Sequence, residues 1–163
     1  MPFQIHPLPR RRFEHLFTLT DAELAAQGAM RVRATAKPGF PCRISLADAE
    51  AGEEVILAHY EHQSADSPFR ASHAVYLRPD AAEANPALGE VPEMLRSRIL
   101  SLRAFDAAGM LVVADLAEGK ALEAPLAAML EQPSVAYVHL HFAKPGCFAA
   151  RADRVASATN SGT

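Results

Sequence analysis

His139-Leu140-His141 places two imidazoles one residue apart in an apolar run. On a strand, alternate side chains share a face, so Tyr137, His139 and His141 would line one face and Ala136, Val138, Leu140 and Phe142 the other. Two imidazoles side by side bind a transition metal once a third ligand arrives. Cys147 follows the turn Lys144-Pro145-Gly146, which can fold its thiol back toward the pair. The metal reading therefore uses His139, His141 and Cys147. The competing reading leaves both histidines on a half-solvated face, because no third ligand stands at a zinc-site spacing in the sequence.

A second group is His59, Glu61, His62 and His73. His59 and Glu61 share a face with Val55 and Leu57, His62 lies on the opposite face, and His73 shares a face with Val75 and Leu77. Glu61 or His62 facing His73 across a hairpin would make an acid–base couple. The alternative is a set of core histidines hydrogen-bonded to backbone. Arginines form the third group. Arg70 precedes a strand, Arg103 interrupts the apolar run Leu102 to Phe105, and Arg151 lies in the terminal segment. An arginine in an apolar strand needs a partner or a route to water. Arg103 either pairs with Asp106, Asp115 or Asp153, or presents its guanidinium to a carboxylate or phosphate ligand.

The dinucleotide-binding glycine motif, the phosphate loop, the zinc-protease helix and the serine-hydrolase elbow are all missing. A net charge of −3 gives no general attraction to nucleic acid or anionic lipid. With 3 tyrosines and no tryptophan there is no aromatic platform for bases. No run approaches the ~20 apolar residues of a membrane helix, and no secretory signal is present. Two cysteines without a redox or zinc-knuckle spacing fit a reducing compartment. A cytoplasmic location is expected.

The elements that must position these residues read as a mainly antiparallel α+β fold, one sheet with a few short helices packed on one face. A chain of 163 residues matches one domain, expected over residues 1–156 with a disordered tail at 157–163. Strands are predicted at 3–6, 30–34, 42–46, 54–62, 71–77, 99–105, 110–116 and 135–143, with a short edge at 147–151. The run Val55-Ile56-Leu57-Ala58 is apolar on both faces and predicts a central strand. Thr20-Asp21-Ala22-Glu23 is a capping box, and Gly28 closes the helix it opens. Further helices are predicted at 92–96 and 120–132.

An ordered string of segments carries a family resemblance: Lys37-Pro38-Gly39-Phe40-Pro41-Cys42-Arg43, Tyr60-Glu61-His62-Gln63, Ser67-Pro68-Phe69-Arg70 with His73, Leu102-Arg103-Ala104-Phe105-Asp106, and Val138-His139-Leu140-His141 with Gly146-Cys147. From about Phe3 to Arg154 the chain resembles a small bacterial family, domain of unknown function 1203. The resemblance implies a single-domain bacterial protein of this length. It implies no activity, cofactor or catalytic residue.

These observations point first to a small-ligand-binding or enzymatic domain. Its pocket would form where His62, Arg70, His73, Arg103, His139, His141 and Cys147 converge, and a small anion is the expected ligand class. The alternatives are a metal-binding protein using His139, His141 and Cys147, and a non-catalytic interaction module that works as a homodimer or on a protein partner. The cofactor is left open, and neither nucleic acid nor membrane is expected as a partner.

Overall fold

Alternating apolar residues and well-placed turns set most of the strands. The computed structural model describes residues 2–156, so the tail expected at 157–163 lies outside the described residues. In chain order the strands are β1 (Phe3–His6), β2 (Met30–Arg33), β3 (Pro41–Cys42), β4 (Ala47–Asp48), β5 (Glu54–Gln63), β6 (Ala71–Leu77), β7 (Ile99–Phe105), β8 (Leu111–Glu118), β9 (Tyr137–Phe142) and β10 (Phe148–Arg154). The helices are α1 (Asp21–Ala26), α2 (Glu93–Arg96) and α3 (Glu123–Glu131). The capping box at α1 is formed, with the Glu23 N–H donating to Thr20 Oγ1 at 3.2 Å.

The strands are antiparallel in the main, but they make two sheets rather than one. The first has the order β1-β10-β9-β7-β8 and the second β2-β5-β6-β3-β4. β3 runs parallel to β6, and the other pairings are antiparallel. One face of the first sheet supplies Leu100, Leu102, Val138, Leu140 and Ala152 to a core shared with Leu126, Met129 and Leu130 of α3 and with Met94 and Leu95 of α2. Its other face meets the second sheet. Phe148 of β10 is buried with Ile56, Ala58, Val75 and Leu77 of β5 and β6. β5 lies between β2 and β6, which accounts for its doubly apolar run: Val55 packs with Ala34 and Ala49, and Ile56 with the inter-sheet cluster.

Three elements differ from expectation. The strand at 42–46 stops at Cys42, because the chain turns and Leu46 adopts a left-handed conformation (φ 50) that no strand continues. The edge expected at 147–151 is an inner strand, since β1 pairs along the far side of β10. The helix expected from 120 begins only at Glu123, after a 3-10 turn at Gly119–Ala121. Pro125 then falls in the first helical turn, where a missing N–H leaves no bond unmade. Among the described residues, no helix is long and apolar enough to cross a membrane.

Candidate metal centre between the two sheets

Pairing register puts the chemistry on the inner face of the first sheet. Arg103 of β7 lies opposite His139 of β9, and Ser101 lies opposite His141. His141 in turn lies opposite Phe148 of β10. Residues directly opposite one another project to the same face, so Arg103, His139, His141 and Phe148 all point toward the second sheet. From that sheet come His62 of β5 and His73 of β6.

A β-bulge aims His62. Glu61 pairs with Ser72 and Gln63 with Ala71, which leaves His62 as the extra residue. A bulge breaks strict alternation and redirects side chains. Here neighbouring His62 and Gln63 line one cavity, and the Gln63 amide reaches across to the Tyr137 hydroxyl at 2.9 Å. A second bulge, at Ala149 between Phe148 and Ala150, follows Phe148, whose ring packs against His62, His139 and His141.

The rings converge. His62 stacks against His73 (5.3 Å between centroids) and against Phe148 (5.3 Å), and meets His141 edge-on at 4.9 Å and His139 at 5.8 Å. One nitrogen from each of His62, His139 and His141 falls within a group no more than 4.8 Å across. His139 and His141 are buried, not half-solvated, at 3% and 0% exposure. Nδ1 and Nε2 of His62, Nδ1 of His139 and Nε2 of His141 are buried without a hydrogen-bond partner. An unpartnered buried polar atom costs about 1–3 kcal/mol, so this concentration calls for something that uses the nitrogens.

His141 is oriented from behind. Its Nδ1 lies 3.0 Å from the Gly146 carbonyl. A carbonyl only accepts, so Nδ1 carries the proton and Nε2 presents its lone pair to the cluster. Such a bond on the far nitrogen is the usual support of a metal-bound histidine. Gly146 reaches this position through a left-handed turn (φ 81), open to glycine without strain. The Pro-Gly turn does fold the chain back toward His141, but it delivers a carbonyl rather than the thiol.

The electrostatics keep the imidazoles neutral and able to ligate. Burial pushes His139 and His141 each down to about 3 and His62 to about 4, and the charge of Arg103 adds to all three. His73 is lowered too, by burial and then by Arg103.

Of the remaining expected site residues, Cys147 and Arg70 fall elsewhere, and Arg103 stays beside the histidines. Cys147 stands apart from the three-histidine group: its sulfur accepts from Arg43 Nη2 at 3.0 Å. Arg70 makes an exposed ion pair with Glu61 at 3.0 Å, so Glu61 is committed there and no Glu61–His73 couple forms. Arg103 has none of the considered aspartates. Asp106 accepts from the Ala108 and Met110 N–H groups, Asp115 from that of Leu116, and Asp153 pairs with Arg151 and His6. The strand register also keeps Arg103 between His139 and Ala114, lining the cavity of about 260 Å³ that His62 and His141 share.

A larger cavity of about 710 Å³ opens beside this one, lined by Arg43, His73, Arg98, Phe142 and Cys147. Its arginines are committed: Arg43 donates to the Phe148 and Pro41 carbonyls and to Cys147, and Arg98 is paired with Asp48 at 2.6 Å. His62 and His141, which carry three of the four unpartnered nitrogens, line the smaller cavity. Arg43, 1% exposed, is a buried structural arginine outside the expected site residues. Its place after Pro41-Cys42 in an apolar stretch was the available signal.

Fold and site together define an antiparallel two-sheet protein with a buried histidine cluster beside an arginine-lined cavity. The chain belongs to the family described as protein of unknown function (DUF1203), whose model matches residues 39–154. That span begins later than the resemblance read from Phe3, and it takes in His62, His73, Arg103, His139, His141 and Cys147. No match was found among curated proteins or among solved structures.

Proposed function

We propose that the protein binds one divalent transition metal between its sheets, through His62, His139 and His141. The observation that carries this reading is that three imidazoles each bring a nitrogen within 4.8 Å of the others and that each of the three rings has a buried nitrogen without a hydrogen-bond partner. Three neutral nitrogen donors with no protein carboxylate suit zinc, cobalt, nickel, copper or ferrous iron rather than magnesium or calcium. Three protein ligands leave a coordination position for water or a substrate, the arrangement of catalytic rather than structural zinc sites. Residues 1–156 act as one domain in this reading. The two free thiols, Cys42 and Cys147, are in keeping with a reducing cytoplasm.

Calorimetric titration of tag-free, chelator-stripped protein with Zn²⁺ tests the proposal. Wild type and His73→Ala are expected to bind one equivalent, and His62→Gln and His141→Ala none, with folding checked by circular dichroism. Absence of binding by folded wild type, or an unchanged titration for both ligand variants, would overturn it. An interaction module has Leu111, Val112 and Leu116 exposed on β8 in its favour. It leaves the convergent buried histidines without a role.

A further inference from the structure

A metal held by three neutral imidazoles brings two positive charges into a half-buried site, and Arg103 adds a third. The guanidinium has one hydrogen bond, a long one from Nε to Ser101 Oγ at 3.4 Å, and no carboxylate within ion-pairing distance among the described residues. Its terminal nitrogens are uncommitted. A partly buried cation without a counter-charge is costly, and a planar guanidinium fork matches a carboxylate oxygen for oxygen.

The cavity describes the rest of the ligand. Its volume of about 260 Å³ corresponds to roughly nine waters at their share of the liquid. Beyond His62, His141 and Arg103, its walls are mainly apolar, with Phe69, Phe105, Leu111 and Ala114. Gln63 also lines it, but its amide is engaged by Tyr137. There is one cationic fork and no lysine. Such a site is short of donors for a phosphate's three oxygens and well suited to one carboxylate with a short apolar body.

We propose that Arg103 anchors the carboxylate of a small monocarboxylic acid in this cavity. The acid's apolar body lies against Phe69, Phe105 and Leu111, beside the open position of the metal. This rests on the three-histidine reading for the metal beside the acid and on Arg103 alone for the anchor.

The test titrates butyrate, benzoate and inorganic phosphate into Co²⁺-loaded protein and follows the visible absorption of the metal. Saturable changes with butyrate and benzoate, and weaker ones with phosphate, are expected. Arg103→Gln should weaken carboxylate binding about tenfold to a hundredfold, the worth of a charged hydrogen bond, while leaving Co²⁺ binding intact or tighter, because it removes a cation from beside the metal. Phosphate binding as tightly as the carboxylates, or Arg103→Gln binding them as wild type does, overturns the inference. The same titrations on metal-free protein, followed by chemical-shift changes, separate the two readings. Carboxylate binding that depends on Arg103 in a protein taking up no Co²⁺ retires the metal site and keeps the anion site. Co²⁺ uptake with no carboxylate binding in either form retires the anion site and keeps the metal.

Discussion

His139→Leu offers a direct measure of what the cluster costs the folded protein. The His139 ring lies among Phe105, Tyr137 and Phe148, at centroid distances of 5.2, 5.1 and 5.2 Å, and its Nδ1 is buried without a partner. A leucine of similar volume loses no hydrogen bond and removes the unpartnered atom, a gain of about 1–3 kcal/mol. It forfeits ring–ring contacts worth about 0.5–1.5 kcal/mol. In the presence of chelator at pH 7.5, the variant should be more stable by about 1 kcal/mol, or about 2–4 °C in Tm for a chain of this size. Acid enlarges the difference. Burial holds His139 at about 3, against 6.5 for a free histidine. Between those values the unfolded chain binds a proton that the folded one refuses, so wild type loses about 1.4 kcal/mol per pH unit below 6.5 through this residue. The advantage of the leucine should therefore reach about 3 kcal/mol at pH 5. At pH 7.5 zinc reverses the order: at a hundred times Kd, wild type gains about 2.7 kcal/mol and the variant nothing. Urea denaturation at the two pH values, with chelator and with Zn²⁺, reads all three effects. A variant destabilised in chelator, with no growth of the difference on acidification, would refute the reasoning and mark His139 as an ordinary core histidine.

Three further substitutions test the frame around the cluster. Arg43→Lys removes a fork that donates to two carbonyls and a sulfur and should cost about 3 kcal/mol in denaturant unfolding. Gly109→Ala should destabilise by about 2 kcal/mol or more, because its φ is +78 and a Cβ would lie 2.3 Å from Ala65 Cβ; an unchanged urea midpoint would contradict this. Asp48→Asn breaks the shielded pair with Arg98 and should cost about 3–5 kcal/mol at pH 7. Burial alone would raise the Asp48 carboxyl, but its bonds to Arg98 outweigh that and hold it below its usual 3.8. The wild-type advantage is therefore complete above that value and disappears as pH falls through the folded-state one, which an acid titration of Tm for both proteins would show.

The division between what could and could not be read from the sequence follows a physical line. Facing on each strand was legible, since period-two alternation is local: His139 and His141 share a face, and β5 is doubly apolar because it is central. The meeting of faces was not. Cys147 was the nearest candidate for a third ligand in sequence, whereas His62 meets the pair through two sheets closing on each other. No short-range pattern encodes that closure. Bulges deepen the gap, because one extra residue at His62 sets two consecutive side chains, His62 and Gln63, on one cavity where alternation would put them on opposite faces. What the sequence did carry was a deficit. Arg103 stands in an apolar strand, and each aspartate near it in sequence has work elsewhere, in a turn or on its own neighbour's N–H. A cation that the fold leaves without a counter-charge, beside imidazole nitrogens left without hydrogen bonds, places the missing partners outside the chain. Both deficits fall on the same cavity, which Arg103 lines together with His62 and His141, and that coincidence argues for one site rather than for two accidents of packing.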